Sequence, residues 1–329
     1  LTAHHQNDQA ETLLLQLLRG AGPKGLAAMA GWQPRAGGRV AQLRPWLPIP
    51  RAQIERYARV HALQWIVDES NSDTAYRRNF VRHELLPLLA RRFPSVVPTL
   101  ARGAALQADA SALLHDLAAL DAQTCVKDDR LDCGCLAALS SARARNLLRW
   151  FIARQGVRMP SERRLDEGLR QLLHAAHDAR VRVTIVPGIE LRRFRNGAYL
   201  VPARACALQA PVRWHGEPVV RLEQAALEIV FHPVHGTGLS LAKLNAARVE
   251  LGVRRGGERL RVEKNGVHRS LKNLLQEAGL PPWQRACVPL LWCDGRLAWA
   301  DGIGCAADFL ATAHEAGVMP VSRASVAAE

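Results

Sequence analysis

Three polar residues near the start of the chain have spacings that would let them act together. His4, Asp8 and Glu11 are four and three residues apart, so in a helix they would share one face. Carboxylates form strong charge-assisted hydrogen bonds with ammonium groups, and an imidazole beside them could orient a bound cation. The same residues also fit a metal site or an ordinary helix start, where the macrodipole favours acidic side chains. The spacing alone leaves all three interpretations open.

The elements that would position these residues follow directly in the chain. The leucines of 13–18 recur at helical spacing, which would anchor the same helix in a hydrophobic core. A glycine-rich turn at 20–25 comes next. The cation Arg19 precedes this turn, and the cation Lys24 lies within it. Its backbone N–H groups could contact an anion, although glycines are common at helix C-termini without any ligand.

Three separated blocks of sequence carry a resemblance to a known family. The first block consists of 2–12 (TAHHQNDQAET) and 19–26 (RGAGPKGL), and the second of 68–82 (DESNSDTAYRRNFVR) and 85–89 (LLPLL). The third consists of 254–260 (RRGGERL), 270–278 (SLKNLLQEA) and 281–283 (PPW). In this order they resemble the signatures of the tRNA(Ile)-lysidine synthetases, members of the N-type ATP pyrophosphatase superfamily. Asn7 departs from the family, which often carries Asp there.

The resemblance implies a ligase reaction in two steps. ATP adenylates the C2 oxygen of the wobble cytidine in the CAU anticodon of tRNA(Ile), and lysine then displaces AMP to form lysidine. The modified anticodon reads AUA instead of AUG. The implied partners are tRNA(Ile), L-lysine and ATP, with Mg²⁺ as a cofactor.

The resemblance also implies roles for individual residues. His4, Asp8 and Glu11 would bind lysine. Asp8 and Arg78 would be catalytic. Arginine suits this role because its fixed fork can neutralise charge that develops on phosphate oxygens. Further cations would contact phosphate or RNA: Arg19, Lys24, Arg254, Arg255, Arg259 and Lys272. No residue is assigned to a metal.

The ATP-binding loop of the superfamily does not occur in the sequence. That loop is Ser-Gly-Gly-x-Asp-Ser, and its backbone N–H groups hold the pyrophosphate. The Gly-Gly pairs at 37–38 and 256–257 lack the flanking serines and the aspartate, so the ATP-binding residues are unknown. Because the chain also begins with Leu1, we expect a fragment without its N-terminal portion that is inactive alone.

These observations predict an α/β fold with several domains. Residues 1–95 would be the C-terminal part of a catalytic domain with a Rossmann-like parallel sheet. A mainly helical tRNA-binding domain would occupy 96–205, a linker or irregular strands 206–238, and a small α+β tRNA-binding domain 239–312. The tail at 313–329 has little pattern and is expected to fray.

Periodicity predicts the main elements within these domains. Helices are expected at 51–63, after Pro50, and at 140–174, and Pro94 and Pro98 should break a third helical region at 85–120. Alternating apolar residues predict strands over 181–201, with a hairpin at Asn196-Gly197. The last domain should combine short strands around Val249, Leu260 and 290–299 with one helix at 270–278. In the same domain, Trp283 should pack in the core or stack on a base.

Composition points to a soluble protein that meets a polyanion. There are 44 Lys and Arg against 30 Asp and Glu, a formal charge of +14, as is typical of nucleic-acid binding; an arginine-rich composition can also follow from a GC-rich genome. No apolar run is long enough to span a bilayer. The seven cysteines are scattered, with only Cys133 and Cys135 close together, which favours reduced thiols in the cytoplasm. The sequence leaves open whether the chain forms a homodimer.

Two rival functions stay open at this point. A basic RNA-binding protein without catalysis would explain the charge. A tRNA thiolase of the same superfamily would need cysteines near the active pocket, but the first cysteine of the chain is Cys125.

Overall fold

The computed structural model describes residues 1–34, 40–66, 69–174, 181–203, 211–222 and 227–324. Its contacts divide the chain into two compact units, 1–174 and 175–329. The Gly-Gly pair at 37–38, the first residue of the 68–82 block and parts of the predicted linker lie outside the described residues.

The N-terminal unit is mainly helical. Its described helices are α1 (Gln6–Leu17), α2 (Pro23–Leu26), α3 (Arg51–Val60), α4 (Arg77–Phe80), α5 (Leu86–Ala90), α6 (Val96–Cys125), α7 (Cys133–Ala138), α8 (Ser141–Arg154) and α9 (Glu162–His174). Two short antiparallel strand pairs accompany them, β1 (Trp32–Pro34) with β2 (Ala41–Leu43) and β3 (Val126–Lys127) with β4 (Arg130–Asp132).

Local sequence explains where several of these helices begin. Pro50 precedes α3, and the side chain of Ser140 accepts a hydrogen bond from Arg143 N at the start of α8. Pro94 separates α5 from α6 as predicted, but the expectation that Pro98 interrupts the helix a second time is wrong. Pro98 is the third residue of α6, where the N–H that proline lacks would have no partner within the helix.

Packing between its helices holds the N-terminal unit together. Ala10 of α1 packs with Val81, Leu86 and Val96, which joins α1 to α5 and the start of α6. Further along, α6 packs against α7 and α8, and α8 against α9. The side chains that α8 buries lie at helical spacing, namely Ala144, Leu147, Leu148, Phe151 and Ile152.

The C-terminal unit is mainly β-structure. Its described strands are β5 (Arg182–Val186), β6 (Ile189–Phe194), β7 (Gly197–Pro202), β8 (Val212–Trp214), β9 (Val219–Leu222), β10 (Leu227–His235), β11 (Leu239–Ser240), β12 (Val249–Val253), β13 (Arg259–Leu260), β14 (Arg269–Ser270), β15 (Pro289–Cys293), β16 (Arg296–Ala300), β17 (Gly304–Cys305) and β18 (Ala316–Ala324). Its described helices are α10 (Leu241–Asn245), α11 (Leu271–Glu277) and α12 (Pro282–Arg285).

The strands of this unit form antiparallel sheets. β5, β6 and β7 follow one another as a meander. One sheet has the order β11-β18-β10-β9 and another the order β17-β16-β15-β12-β8, while β13 pairs with β14. A shared core joins the two larger sheets, where Trp214 of β8 stacks on Phe231 of β10 with ring centroids 4.9 Å apart.

Several predicted features differ in the structure. The strand pairings whose register is given are antiparallel, so the parallel sheet implied for the complete catalytic domain stays a prediction. The predicted frayed tail is wrong for Ala316–Ala324, because β18 pairs with β10 along nine residue pairs. In the predicted linker, the described residues form β8, β9 and β10.

One cysteine pair also differs from the expectation of reduced thiols. Cys125, the last residue of α6, forms a disulfide with Cys135 in α7, and their Cα atoms are 5.3 Å apart. The hairpin of β3 and β4 reverses the chain between them, which the scattered spacing did not indicate. Among the described residues, Cys287, Cys293 and Cys305 are free thiols.

Candidate active site

The N-terminus of α1 positions the first candidate residues. His5 precedes the helix, its Nδ1 accepts a hydrogen bond from Asp8 N at 3.4 Å, and Asp8 Oδ2 accepts one from His5 N at 3.0 Å. This reciprocal arrangement is a capping box. His4 therefore lies outside the helix, with Nδ1 3.1 Å from Thr2 Oγ1. The expectation that His4 shares a helical face with Asp8 and Glu11 is wrong, because the helix begins after His5.

Asp8 and Glu11 do share a face, and it contacts two arginines distant in sequence. Arg78 donates from Nη2 to Asp8 Oδ1 at 2.9 Å and from Nε to Glu11 Oε2 at 2.8 Å. Arg82 donates from Nε to Glu11 Oε1 at 2.7 Å and from Nη2 to Glu11 Oε2 at 3.0 Å. A longer bond of 3.3 Å joins Arg82 Nη2 to Asp8 Oδ1. We call these four residues the ion-pair cluster.

Packing around α4 holds the two arginines opposite the carboxylates. Arg78 lies in α4 and Arg82 in the π-helical turn Val81–Leu85 that follows it. Val81, between them, is buried against Ala10 of α1. The side chain of Asn79 donates to the carbonyl oxygens of Ser70 and Asp73, both at 2.9 Å, which fixes the loop before α4. Arg78 thus belongs to the ion-pair cluster, whereas Asn79 stabilises the loop that precedes α4.

The two negative and two positive charges of the cluster balance, and both carboxylates are buried. Glu11 is 1% exposed and Asp8 7%, and two guanidinium groups face these two carboxylates. The hydrogen bond with Glu11 raises the pKa of Arg82, so this side chain stays charged. Buried charges persist only with such partners. The side chain of Arg78 is 40% exposed, so its guanidinium can also reach an anion at the surface.

His5 contributes to the cluster as a neutral side chain. Its Nδ1 is 3.3 Å from Asp8 Oδ2, which would be an ion pair only with a protonated ring. Burial lowers the pKa of His5 below its usual value of 6.5 and outweighs the opposing effect of Asp8 and Glu11. A neutral ring can accept the Asp8 N–H at Nδ1, whereas a protonated ring cannot. The cap of α1 therefore depends on a neutral His5.

Sequence reasoning missed Arg82 and His5 as site residues. Arg82 follows Arg78 by four residues, the spacing that places two side chains on one helical face, so this signal was present. His5 with Asp8 three residues later has the spacing of a capping box, but the residue types differ from the usual Ser or Thr with Glu or Gln.

The predicted phosphate contacts Arg19 and Lys24 make none of the hydrogen bonds that define the cluster. Arg19 is exposed in the turn after α1. Lys24, in α2, lines a groove of about 800 Å³ together with Arg149, Trp150 and Arg154 of α8. The groove is basic and partly aromatic, and neither Asp8 nor Glu11 is among its lining residues.

The remaining predicted cations lie in the C-terminal unit. Arg254 and Arg255 precede the turn at 256–257, and Arg254 Nε is 3.3 Å from Glu258 Oε2. Arg259 Nη2 donates to His268 O at 2.9 Å, and Lys272 is exposed on α11. In this region Trp283 makes edge-to-face contacts with Tyr199 and Phe194, with ring centroids 5.5 and 6.3 Å apart. These contacts agree with the expectation that Trp283 packs against protein side chains.

Neither a metal cluster nor a membrane-spanning helix is present among the described residues. Within the described ranges, no group of three or more His, Cys, Asp or Glu side chains could hold a metal ion. The part of the chain that the structure describes also has no helix long and apolar enough to cross a bilayer.

Comparisons with known proteins agree on one family. Three family models match the chain: a PP-loop domain over residues 1–89, a TilS substrate binding domain over 131–199 and a TilS substrate C-terminal domain over 249–322. A protein of Nitrosomonas europaea is 42% identical over 321 residues, which cover 97% of this chain and 70% of that protein. Proteins of Azoarcus sp. and Aromatoleum aromaticum are 41% and 43% identical, covering 96% and 97% of this chain and 69% and 73% of theirs. All three relatives are named tRNA(Ile)-lysidine synthase.

Proposed function

The chain belongs to the tRNA(Ile)-lysidine synthase family, ligases that act on tRNA with ATP, and we propose that it takes part in forming lysidine. The substrate is the wobble cytidine of tRNA(Ile) with a CAU anticodon, and the co-substrates are ATP and L-lysine. In the first step the C2 oxygen attacks the α-phosphate and pyrophosphate leaves. In the second the lysine amine attacks C2 and AMP leaves.

The observation that carries this proposal is the ion-pair cluster. It joins the first and second sequence blocks of the family, since Arg78 and Asp8 are 70 residues apart. Within it, Asp8 and Glu11 are the ligands of the lysine ammonium groups, and Arg78 contacts the phosphate. The two carboxylates are already paired with guanidinium groups, however, so lysine can bind only if those pairs open.

We therefore propose an exchange of partners during the reaction. When a phosphate group arrives, Arg78 turns towards its oxygens, and the ammonium group of lysine replaces the guanidinium beside Asp8. Arg78 is the arginine suited to this movement, because its side chain is 40% exposed and that of Arg82 only 20%. Asp8 is the more exposed of the two carboxylates and takes the proton that the attacking amine loses. His4 remains a proposed lysine contact through its position just before the helix.

Mg²⁺ is proposed only as a companion of ATP. Magnesium prefers carboxylate and phosphate oxygens, but hydrogen bonds from the two arginines already engage the Asp8 and Glu11 oxygens that face them. The described residues therefore do not fit a dedicated magnesium site, and no step is assigned to the ion. Our division of the chain into a catalytic part (1–95), tRNA-binding parts (96–205 and 239–312) and a linker or irregular strands (206–238) is likewise a proposal. Within 206–238, the described residues contribute β8, β9 and β10 to the core of the C-terminal unit.

Incorporation of labelled lysine into CAU-anticodon tRNA tests the reaction. The assay is run on this chain and on a version extended by the Ser-Gly-Gly-x-Asp-Ser segment of a relative, and we expect incorporation by the extended version. In that version Asp8→Asn should raise the lysine KM and lower kcat, with tRNA binding unchanged. Glu55→Gln is the matched control, because Glu55 pairs with Arg51 at 2.7 Å outside the cluster. An unchanged lysine KM in Asp8→Asn would remove Asp8 from the lysine pocket.

The proposed RNA contacts of the C-terminal unit have their own test. Replacing Arg254, Arg255 and Arg259 with Gln should weaken tRNA binding and lower the slope of log K against log salt by about two to three, because each phosphate contact contributes about 0.7 to 0.9. Arg221, Arg248 and Arg323 replaced together serve as the control, since these exposed arginines pair with Glu228 or Glu250. Equal slopes in the two triple variants would place the first three arginines away from RNA.

Four of the described cysteines give the thiolase alternative no support. Cys125 and Cys135 form a disulfide. Burial raises the pKa of Cys293 to about 12 and that of Cys305 to about 11, so both thiols stay protonated and unreactive at neutral pH.

A further inference from the structure

A buried arginine of the N-terminal unit has two neutral hydrogen-bond acceptors and no acidic partner. Arg44 directly follows β2 and is 9% exposed. Its Nη1 donates to Ala30 O at 2.7 Å and its Nη2 donates to Gln42 Oε1 at 2.9 Å. No carboxylate among the described residues pairs with it. A buried guanidinium usually has a carboxylate partner, so an ordinary ion pair does not account for this residue.

The backbone of residues 29–31 fixes the position of this guanidinium. Besides the side-chain bond to Ala30 O, Arg44 N donates to Gly31 O at 2.7 Å. The side chain of Gln9, in α1, donates from Nε2 to Met29 O at 2.9 Å, and its Oε1 accepts from Met29 N at 3.0 Å. Because Gln9 is buried on the helix of the ion-pair cluster, Arg44 is held in a constant position relative to that helix.

A relay of three hydrogen bonds leads from Arg44 to His4. Because Arg44 donates to Gln42 Oε1, the amide nitrogen Nε2 of Gln42 is directed towards Thr2 and lies 3.4 Å from Thr2 Oγ1. An amide nitrogen only donates, so Thr2 Oγ1 accepts this bond. Thr2 Oγ1 is in turn 3.1 Å from His4 Nδ1. Since the Thr2 hydroxyl has no other partner among the described residues, its hydrogen is donated to His4 Nδ1.

The relay decides which ring nitrogen of His4 carries the proton. A neutral imidazole has one donor nitrogen and one acceptor nitrogen. When Thr2 donates to Nδ1, this nitrogen is the acceptor and the N–H group is at Nε2. The direction of the relay is set at its first member, because the guanidinium of Arg44 has donors and no acceptor. Successive hydrogen bonds in such a chain polarise and strengthen one another.

We propose that Arg44 is a positioning residue that acts through this relay to hold His4 with its proton on Nε2. An N–H group needs an acceptor, and the ammonium groups of lysine are donors only. His4 therefore contacts the α-carboxylate of lysine, while Asp8 and Glu11 remain the partners of the ammonium groups. The assignment of the carboxylate rests on the proposed function, whereas the relay itself does not.

Nitrogen-15 NMR of the full chain tests the relay. The chain has 12 histidines; their rings are labelled, and His4→Gln identifies the His4 signals. Couplings between ring protons and ring nitrogens distinguish the two tautomers at alkaline pH, where imidazoles are neutral. We expect the proton on Nε2 in the unchanged chain and on Nδ1 in Gln42→Glu. A carboxylate at position 42 accepts from both Arg44 and the Thr2 hydroxyl, whose oxygen then accepts from Nδ1.

Gln33→Glu is the matched control for this variant. Gln33 lies opposite Gln42 in the pairing of β1 with β2 and is outside the relay, so its replacement adds the same charge nearby without changing a partner of Thr2. His4 should keep its proton on Nε2 in this control. A proton on Nδ1 in the unchanged chain overturns the relay, and so does a proton that stays on Nε2 in Gln42→Glu.

Lysine selectivity tests the positioning role, in the extended version used for the incorporation assay. Lysinamide has a neutral amide in place of the α-carboxylate. In Gln42→Glu and in Thr2→Val, the ratio of kcat/KM for lysine to kcat/KM for lysinamide should fall about tenfold, as the loss of one charge-assisted hydrogen bond would give. A merely structural defect would lower both values equally. Gln33→Glu should keep the ratio of the unchanged enzyme.

The outcomes separate this inference from the proposed function. Because Thr2→Val removes the hydroxyl without adding charge, an unchanged ratio in this variant overturns the positioning role even if lysine is incorporated. If the NMR shows the expected tautomers and no version incorporates lysine, the relay stands, whereas the proposed function and the lysine contact of His4 are wrong.

Discussion

Glu11→Gln should destabilise the N-terminal unit by about 2–3 kcal/mol. Glu11 is 1% exposed and accepts three hydrogen bonds, at 2.8 Å from Arg78 and at 2.7 and 3.0 Å from Arg82. Removing one partner of a buried ion pair costs about 3–5 kcal/mol. The side chains of Arg78 and Arg82 are 40% and 20% exposed, so water can solvate them in part, which reduces the expected loss to about 2–3 kcal/mol.

Urea and thermal unfolding, followed by circular dichroism at 222 nm, measure this loss. The long helices α1, α6, α8 and α9 all lie in residues 1–174, so the signal at this wavelength reports mainly the N-terminal unit. The expected decrease in Tm is about 4–12 °C, since 1 kcal/mol shifts Tm by about 2–4 °C in a unit of this size. Glu55→Gln is the control, because exposed pairs contribute little. A loss in Glu11→Gln no larger than that of the control would refute the role of the cluster in holding α1 to α4.

Two further changes test other parts of the structure. Because folding lowers the pKa of His5, the folded state binds fewer protons, and stability should fall as the pH drops from about 6.5 through the lower folded pKa. His5→Asn keeps a capping side chain without this titration, so its urea midpoint should vary less between pH 7 and 5; equal pH dependence would assign the effect to another group. Gly317→Ala would place a Cβ atom 2.0 Å from Thr237 O and should destabilise the C-terminal unit by about 2 kcal/mol, measured by tryptophan fluorescence in urea. Gly31→Ala, where a Cβ meets open space, should have little effect, and equal losses in the two variants would contradict the clash.

The sequence predicted those helices and strands whose position depends on neighbouring residues in the chain. Pro50 predicted the start of α3, and the alternation over 181–201 predicted the meander of β5, β6 and β7. The hairpin between β6 and β7 was also predicted, but its pairing ends at Phe194 and Gly197, so Arg195 and Asn196 form the loop. Turn geometry of this kind depends on register, which one dipeptide does not fix.

The site was predictable only in part, because its key contacts are distant in sequence. The partnership of Asp8 with Arg78 spans 70 residues, and no periodicity connects them; only the family resemblance placed both in one pocket. The start of α1 was misjudged because His5 is an unusual capping residue. The strand β18 was missed because its small and weakly apolar residues show little pattern until β10 pairs with them.

The pairing of β18 with β10 also has a consequence for the order of folding. Arg323 contacts Glu228 across this ladder, 95 residues away, and closing so long a loop costs entropy before the contacts repay it. On the ribosome, β10 emerges long before β18, with one edge unpaired in the meantime. An unpaired edge is a template for association with other chains. The C-terminal unit is thus most exposed to misassembly while this edge of β10 has no partner, and the pairing of β18 ends that period.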